Sequence, residues 1–518
     1  MLRQGGCMNN LWSAVEMAAW VTDNGAERDM SDATRRWRFV MRFQTQNCEQ
    51  VSGSGTEHRY GHSCGEFMRK ACMSIVCLHV ILFSTLCVFA DAFAQNSSDR
   101  RFIWIGNEDR QFTAEEFNYI AKKHAIAVIA KFHGGWDLSK QHWAAEQIKK
   151  RNPSIKVFPY FSANYWWSIE PYAFSYGQRA FKEAWYLHDL NDDWTTAQNP
   201  VEHRVEHIIV KNGRTEISHY LDLCNVPFCN WASGTIAVWL QRTIDDMPVY
   251  AGIAFDAATI HNVYRWPDGQ PPGFIEKLMG LIGGTEEQAR QKIMDLNDGR
   301  LDLVRRTRER IGNKMILYNG FHDSPSAFKR SLAFFEYADA ALEEDFCYQP
   351  GLEKLHSKKR ILQDIDLISG VSGKYLDKIF LLKTNIPNSD SLTLNQRLKL
   401  RRFSYGCFLL GHRPGRTFYK YAEFPLYFTQ GNVGIDPLEI ELEFGDPLAK
   451  YRGVGNVYAR HFKKGSVYVN MEDTAQSVTI PWKLVLMNGG VAGKVYKKEQ
   501  VLKIPAKDAA FLLKPIAP

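Results

Sequence analysis

Asp256 closes the run GIAFD, and Glu343 and Glu344 close the run AALEE. An acid that ends a wholly apolar run is a poor fit to ordinary surface. The bland alternatives are a helix cap or a salt bridge to an arginine. Two carboxyl groups facing each other across a cavity meet the requirement for glycosidic bond hydrolysis. One gives a proton to the leaving oxygen; the other, ionised, activates water or attacks carbon. Adjacent strand positions point to opposite faces, so at most one of Glu343 and Glu344 faces a cavity shared with Asp256.

Aromatic side chains crowd the same kind of position. Tyr160, Asn164, Tyr165 and Trp166 lie in or just after SIKVFPYF, Trp136 follows His133-Gly134-Gly135, and Tyr264 and Trp266 follow Asp256 within ten residues. Flat rings cover the apolar CH faces of sugars, and nearby His, Asn and Asp side chains bond the hydroxyls. Core packing accounts for some of these rings, but poorly for the adjacent Trp166 and Trp167. His133, Asn164, Asp222 and Asn319 complete the expected substrate-binding set. No HExxH, Walker loop or GxGxxG is present, and neither a metal nor another cofactor is expected.

The elements that must hold these residues alternate. FIWIG, the run from Ala125 to Phe132, SIKVFPYF, GIAFD, KMILYNGF, ADAALEEDF, KIFLLKTN and SYGCFLLG read as eight strands. Helical segments separate most of them. TAEEFNYIAKKH opens with Thr113 and carries Glu116 three positions later, a capping box; residues 139–151 and 286–311 have helical periodicity. Strands apolar on both faces belong to a parallel sheet covered by helices. Their number and span fit an α/β fold, a (β/α)8 TIM barrel over residues 100–450. Beyond residue 455 the pattern changes to short alternating runs joined by Asn-Gly and Gly-Gly turns, a small C-terminal antiparallel β domain over 455–518.

Composition bounds the rest. The 518 residues carry 64 Lys and Arg against 57 Asp and Glu, a net +7 with no dense basic tract, so no nucleic acid partner is expected. Arg69 and Lys70 precede the uncharged run ACMSIVCLHVILFSTLCVFA, which Ala92-Phe93-Ala94 follows. Residues 68–94 therefore read as a secretory signal peptide, the alternative being a single membrane anchor. Residues 1–67 read as a disordered extension ahead of a start at Met68 or Met73, or as a cytoplasmic tail. The expected location is secreted or extracellular, with membrane anchoring as the alternative. In CNVPFC, Cys224 and Cys229 are close enough for a small disulfide loop in an oxidising compartment, or stay as buried thiols.

The ordered series of strand ends resembles the TIM-barrel glycoside hydrolases, in particular hypothetical glycosyl hydrolase family 15. FHGGW is similar to its second-strand turn, VFPYFSAN to its third, and HYLDLCNVPFCNWA, GIAFDAA, ILYNGF and LEEDF to its later segments. The resemblance covers roughly residues 100–450. It implies a secreted enzyme acting on a polysaccharide or oligosaccharide with carboxylates at Asp256 and Glu344. Apolar surroundings in AALEE would raise the pKa of Glu344 and make it the acid, with Asp256 the nucleophile or base. Exchanging the two leaves the pattern unchanged. The competing expectation is a non-catalytic carbohydrate-binding barrel.

Overall fold

The computed structural model describes residues 101–105, 112–129, 138–163, 182–211, 214–258, 273–321, 331–349, 354–371, 373–386, 391–423, 438–488 and 491–515. Eight parallel strands follow one another around a single sheet: β1 (Phe102–Ile105), β2 (Ile126–Ile129), β3 (Lys156–Ser162), β4 (Gly252–Asp256), β5 (Met315–Asn319), β6 (Ala340–Glu343), β7 (Ile379–Ile386) and β8 (Thr417–Glu423). A parallel bridge between Arg101 and Tyr419 brings the last strand back to the first. The (β/α)8 barrel with antiparallel sheets after it is thus the architecture of this chain.

Alternation along each strand splits its side chains between two cores. Phe102, Trp104, Ile126, Val128, Phe158, Tyr160, Ala254, Leu317, Ala340, Leu342, Ile379, Leu381 and Phe418 fill the barrel interior. The residues between them, such as Ile103, Ile253, Ile316 and Phe380, pack with helical side chains such as Phe117 and Ile120. Those helices are α1 (Ala114–Lys123), α2 (Leu138–Arg151), α3 (Val226–Trp239), α4 (Gly273–Ile282), α5 (Glu286–Ile311), α6 (Lys358–Ser369) and α7 (Leu394–Gly411). The capping box expected at Thr113 and Glu116 is present: the Thr113 hydroxyl accepts from Glu116 N at 3.3 Å, and the Glu116 carboxylate accepts from Thr113 N at 2.8 Å.

One element differs from its sequence reading. SYGCFLLG is not the eighth strand; it is the second half of α7, and TFYKYAE forms the strand. The run looks strand-like because every residue from Phe403 to Gly411 is buried. This helix is enclosed on two sides, by the barrel and by a C-terminal sheet. It packs on strands Gly465–Asn470 and Asp508–Leu513 of that sheet, and a Cβ at Gly406 would meet the Ala509 Cβ at 2.5 Å. Arg460 fixes its far end, donating from Nη1 to the carbonyls of Leu410 at 2.8 Å and His412 at 2.7 Å. Those carbonyls have no partner within the helix.

The C-terminal strands are β9 (Arg452–Val454), β10 (Val457–His461), β11 (Gly465–Asn470), β12 (Gln476–Thr479), β13 (Leu484–Asn488), β14 (Val491–Tyr496), β15 (Val501–Ile504) and β16 (Asp508–Leu513). Six form one sheet in the order β9-β10-β11-β16-β13-β14, and β12 pairs with β15. All these pairings are antiparallel.

Cys224 and Cys229 are free thiols. Asn225 caps α3 with its side chain on Phe228 N, so the chain turns into helix between the two cysteines. Cys229 points into the core, where its Sγ donates to Leu223 O at 3.3 Å. Burial pushes both thiols up to about 12, which leaves them inert at neutral pH. Among the described residues no helix is long and apolar enough to cross a membrane. Residues 1–94, with the signal or anchor expected at 68–94, lie outside those described.

Candidate active site

The inward positions of the barrel strands change from apolar to polar at their carboxyl ends, the end where barrel enzymes place their chemistry. Ala254 is succeeded two residues on by Asp256, Leu317 by Asn319, Leu342 by Glu344, and Leu381 by Lys383. Tyr160, already inward, lies on the neighbouring β3. The parity that fills the interior with Leu and Ala therefore aims this polar set at one mouth.

These side chains form a continuous chain of contacts. Asn319, buried, donates its single amide nitrogen to two carboxylates: Asp256 Oδ1 at 2.7 Å and Glu344 Oε2 at 3.0 Å. A carboxamide has two N–H donors, one for each acid. The buried Tyr160 hydroxyl donates to the other Asp256 oxygen at 2.5 Å. Lys383 Nζ donates to Glu344 Oε1 at 3.0 Å. The Glu344 side chain is 38% exposed and that of Lys383 only 5%, so the carboxylate is reachable while the ammonium is enclosed. Lys420, in register with Lys383 on β8, is buried beside it.

The turns after β4 and β5 depart from ordinary backbone. Ala257, directly after Asp256, has φ 51, and Gly320, directly after Asn319, has φ 125. Glycine is needed at the second, since a side chain is rarely tolerated there. A non-glycine residue at positive φ beside Asp256 stores strain where an acid is held in place.

Glu343 and Glu344 part as strand geometry requires. Glu343 points outward and is buried, 3.8 Å from Arg360 of α6; Glu344 faces the mouth. The surroundings of Glu344 differ from the sequence reading. In place of the apolar environment expected from AALEE, its carboxylate meets the Lys383 ammonium. Lys383 was overlooked because it reads as an interruption of KIFLLKTN. The signal was there: a lone cation two residues beyond Leu381, with the same inward parity.

Asp222 is engaged outside the barrel, accepting from Lys292 Nζ of α5 at 3.1 and 3.2 Å and from Cys224 N at 3.1 Å. The candidates His133, Trp136, Asn164, Tyr165, Trp166, Tyr264 and Trp266 lie outside the described residues. Tyr160, expected to touch substrate, is 1% exposed and acts on Asp256 instead.

No family model and no curated protein matches the sequence. Among solved structures, the α-amylase of Geobacillus thermoleovorans complexed with acarbose aligns with 82% of this chain and 100% of its own, at 12% identity and TM-score 0.42. A debranching enzyme of Nostoc punctiforme aligns with 81% of this chain and 99% of its own, at 12% identity and TM-score 0.40. A GH27 β-L-arabinopyranosidase of Geobacillus stearothermophilus aligns with 81% of this chain and 98% of its own, at 9% identity and TM-score 0.41. These neighbours are glycoside hydrolases. At such identities and TM-scores the likeness carries no argument about activity, which rests on the side chains at the barrel mouth.

Proposed function

We propose that this chain is a glycoside hydrolase that cleaves bonds in a polysaccharide or oligosaccharide with Asp256 and Glu344. One observation carries the reading: two carboxylates from β4 and the end of β6 meet at one amide nitrogen, at the carboxyl end of the barrel. Asp256 and Asn319 end neighbouring strands, so the amide is positioned by the sheet itself, while Glu344 enters from one strand further. A brace would close on itself; here the Glu344 carboxylate remains reachable from solvent. A pair of this kind can supply the proton and the negative charge that an oxocarbenium-like transition state needs.

The resemblance to hypothetical glycosyl hydrolase family 15, the cleaved signal at 68–94 and secretion belong to the same reading. N-terminal sequencing of the natural protein tests the last two, and a mature chain that keeps residues 68–94 rejects cleavage. The activity is tested by incubating the full chain, Asp256→Asn and Glu344→Gln with a broad panel of polysaccharides and para-nitrophenyl glycosides. Hydrolysis by the parent, lost in both folded variants, is expected. Normal turnover in either variant removes that residue from the pair.

A further inference from the structure

We infer that Cys347 and Cys407 form a disulfide that ties the segment just beyond Glu344 to helix α7. Such a bond does not depend on glycosidase activity; it needs only an oxidant of the kind an exported chain meets during folding.

Contacts on the outer side of the barrel bring the two cysteines together. The carbonyl of Phe346, the residue before Cys347, accepts from Thr384 Oγ1 of β7 at 2.9 Å. Thr384 Oγ1 accepts in turn from the Tyr419 hydroxyl of β8 at 3.4 Å, and Ser404 Oγ of α7 lies 2.6 Å from that hydroxyl. Ser404 precedes Cys407 by three positions, so both lie on the same face of the helix. Tyr405 and Phe408, to either side of that face, pack on the Tyr419 ring with centroids 5.4 and 5.2 Å away. The two thiols, both free and both fully buried, meet in a hydrogen bond. Burial, with this contact adding to it, pushes the Cys347 thiol well above its ordinary range.

The ordinary account of two such thiols is core packing, and in a reducing compartment it suffices. In an oxidising one, thiols in contact are a pair. The cysteines of CNVPFC differ: Cys229 Sγ donates to Leu223 O at 3.3 Å, a carbonyl of its own turn. Cys347 also holds φ 66, an uncommon conformation for a residue with a side chain. His356 N, donating to Cys347 O at 3.0 Å, helps to hold that turn. A covalent bond at this residue would fix the segment that follows Glu344 against a helix already enclosed by the C-terminal sheet. Because the two positions are far apart in sequence, the bond would remove much freedom from the unfolded chain.

The oxidant is another disulfide. The thiolate of one cysteine attacks it, forms a mixed disulfide and releases one thiol. The second thiolate then displaces the other half, so two protons and two electrons pass to the oxidant, which leaves as two thiols. The folded chain closes over both sulfurs, so the bond forms before α7 seats on the barrel.

The test unfolds the full chain in guanidinium with dithiothreitol and refolds it with a mixture of reduced and oxidised glutathione, or with dithiothreitol alone. Alkylation with iodoacetamide in denaturant, digestion and mass spectrometry then read each cysteine. After glutathione, the Cys347 and Cys407 peptides should be joined, and Cys224 and Cys229 alkylated. Alkylation of both Cys347 and Cys407 in the folded product overturns the pairing, as does a Cys224–Cys229 link in its place. The linked chain should melt on the order of 5 °C above the reduced one, and Cys347→Ala should melt alike under both conditions. Equal melting of the linked and reduced parent overturns the stabilising role. The natural protein, alkylated in urea as isolated, gives a reading that needs no refolding, and two free thiols there also overturn the pairing. None of these outcomes alters the glycosidase reading, which the substrate panel tests.

Discussion

Glu344 and Glu423 both stand at the carboxyl ends of barrel strands, and both meet basic side chains. Their settings are opposite. Phe418 faces the barrel interior, so along β8 Glu423 falls on the outward parity and points at α7. There Arg401 Nε donates to it at 3.0 Å and Arg397 Nη1 at 3.4 Å, and its side chain has 0% exposure. Glu344 has the inward parity, meets the Lys383 ammonium and the Asn319 amide, and keeps 38% of its side chain exposed. His142 repeats the closed pattern between α2 and the segment before β4, with Nδ1 2.5 Å from the Tyr250 hydroxyl. An acid beside a base is a brace on one face of a barrel strand and accessible chemistry on the other. One step of sequence separates the two outcomes.

That contrast predicts which losses appear in turnover and which in stability. The largest effect is expected at the open set. Asp256→Asn and Glu344→Gln should each lower kcat by about a thousandfold, roughly 4 kcal/mol of barrel-mouth catalysis, with melting temperature little changed. Parallel calorimetry and turnover assays check it. A large fall in melting temperature with residual turnover per folded molecule would place these acids among the braces. Glu423→Gln should do the reverse. It leaves two guanidiniums facing a neutral group in a buried site, at a cost of about 3–5 kcal/mol in urea unfolding, with kcat per folded molecule unchanged.

His142 gives the closed class a pH signature. Burial, with Arg242 adding to it, lowers its pKa from 6.5 to about 4 in the folded chain. Between these values the unfolded chain binds the proton and the folded chain does not, so stability rises with pH. The contribution is complete above about pH 6.5 and is lost as pH falls toward 4, on the order of 3 kcal/mol in all. Urea midpoints of the parent at about pH 7 and about pH 5 should differ accordingly, and His142→Gln should flatten that difference. An equal slope in both proteins would assign the acid sensitivity to other groups.

Much of this was legible in the sequence, for physical reasons. A strand buried on both faces must be apolar, so Asp256 and Asn319 stood out where GIAFD and ILYN turn polar. Helix caps such as Thr113 with Glu116 are local and read directly. Two things were hidden. α7 is enclosed by both the barrel and the C-terminal sheet, so its second half lost the amphipathic period that marks a helix. Lys383 belongs to the site only through contacts across strands: its partner Glu344 is on another segment, and nothing local in IFLLKTN names it. The resemblance singles out Glu344 over Glu343, and the apolar neighbours of Glu344 in sequence say nothing of Lys383, the cation it meets in space.

Tyr160→Phe should give the smallest effect and probes the border between the two classes. The ring is buried and meets Trp104 edge-on, with centroids 5.9 Å apart; phenylalanine keeps that contact. Only the hydroxyl on Asp256 Oδ2 is removed, worth roughly 1 kcal/mol of stability. The hydroxyl donates to Asp256 Oδ2 and so fixes the carboxyl at the mouth, and kcat should fall about tenfold. The fall should also depend on the leaving group. A para-nitrophenolate departs with little protonation, whereas an alkyl or sugar alkoxide needs the proton in the transition state. Measured on one sugar with both kinds of leaving group, the variant should lose more on the poorer one. Equal losses on the two substrates would mean that Tyr160 positions Asp256 without governing its proton. A loss of stability with kcat unchanged on both would place Tyr160 with Glu423 and His142, among the groups that only hold the barrel together.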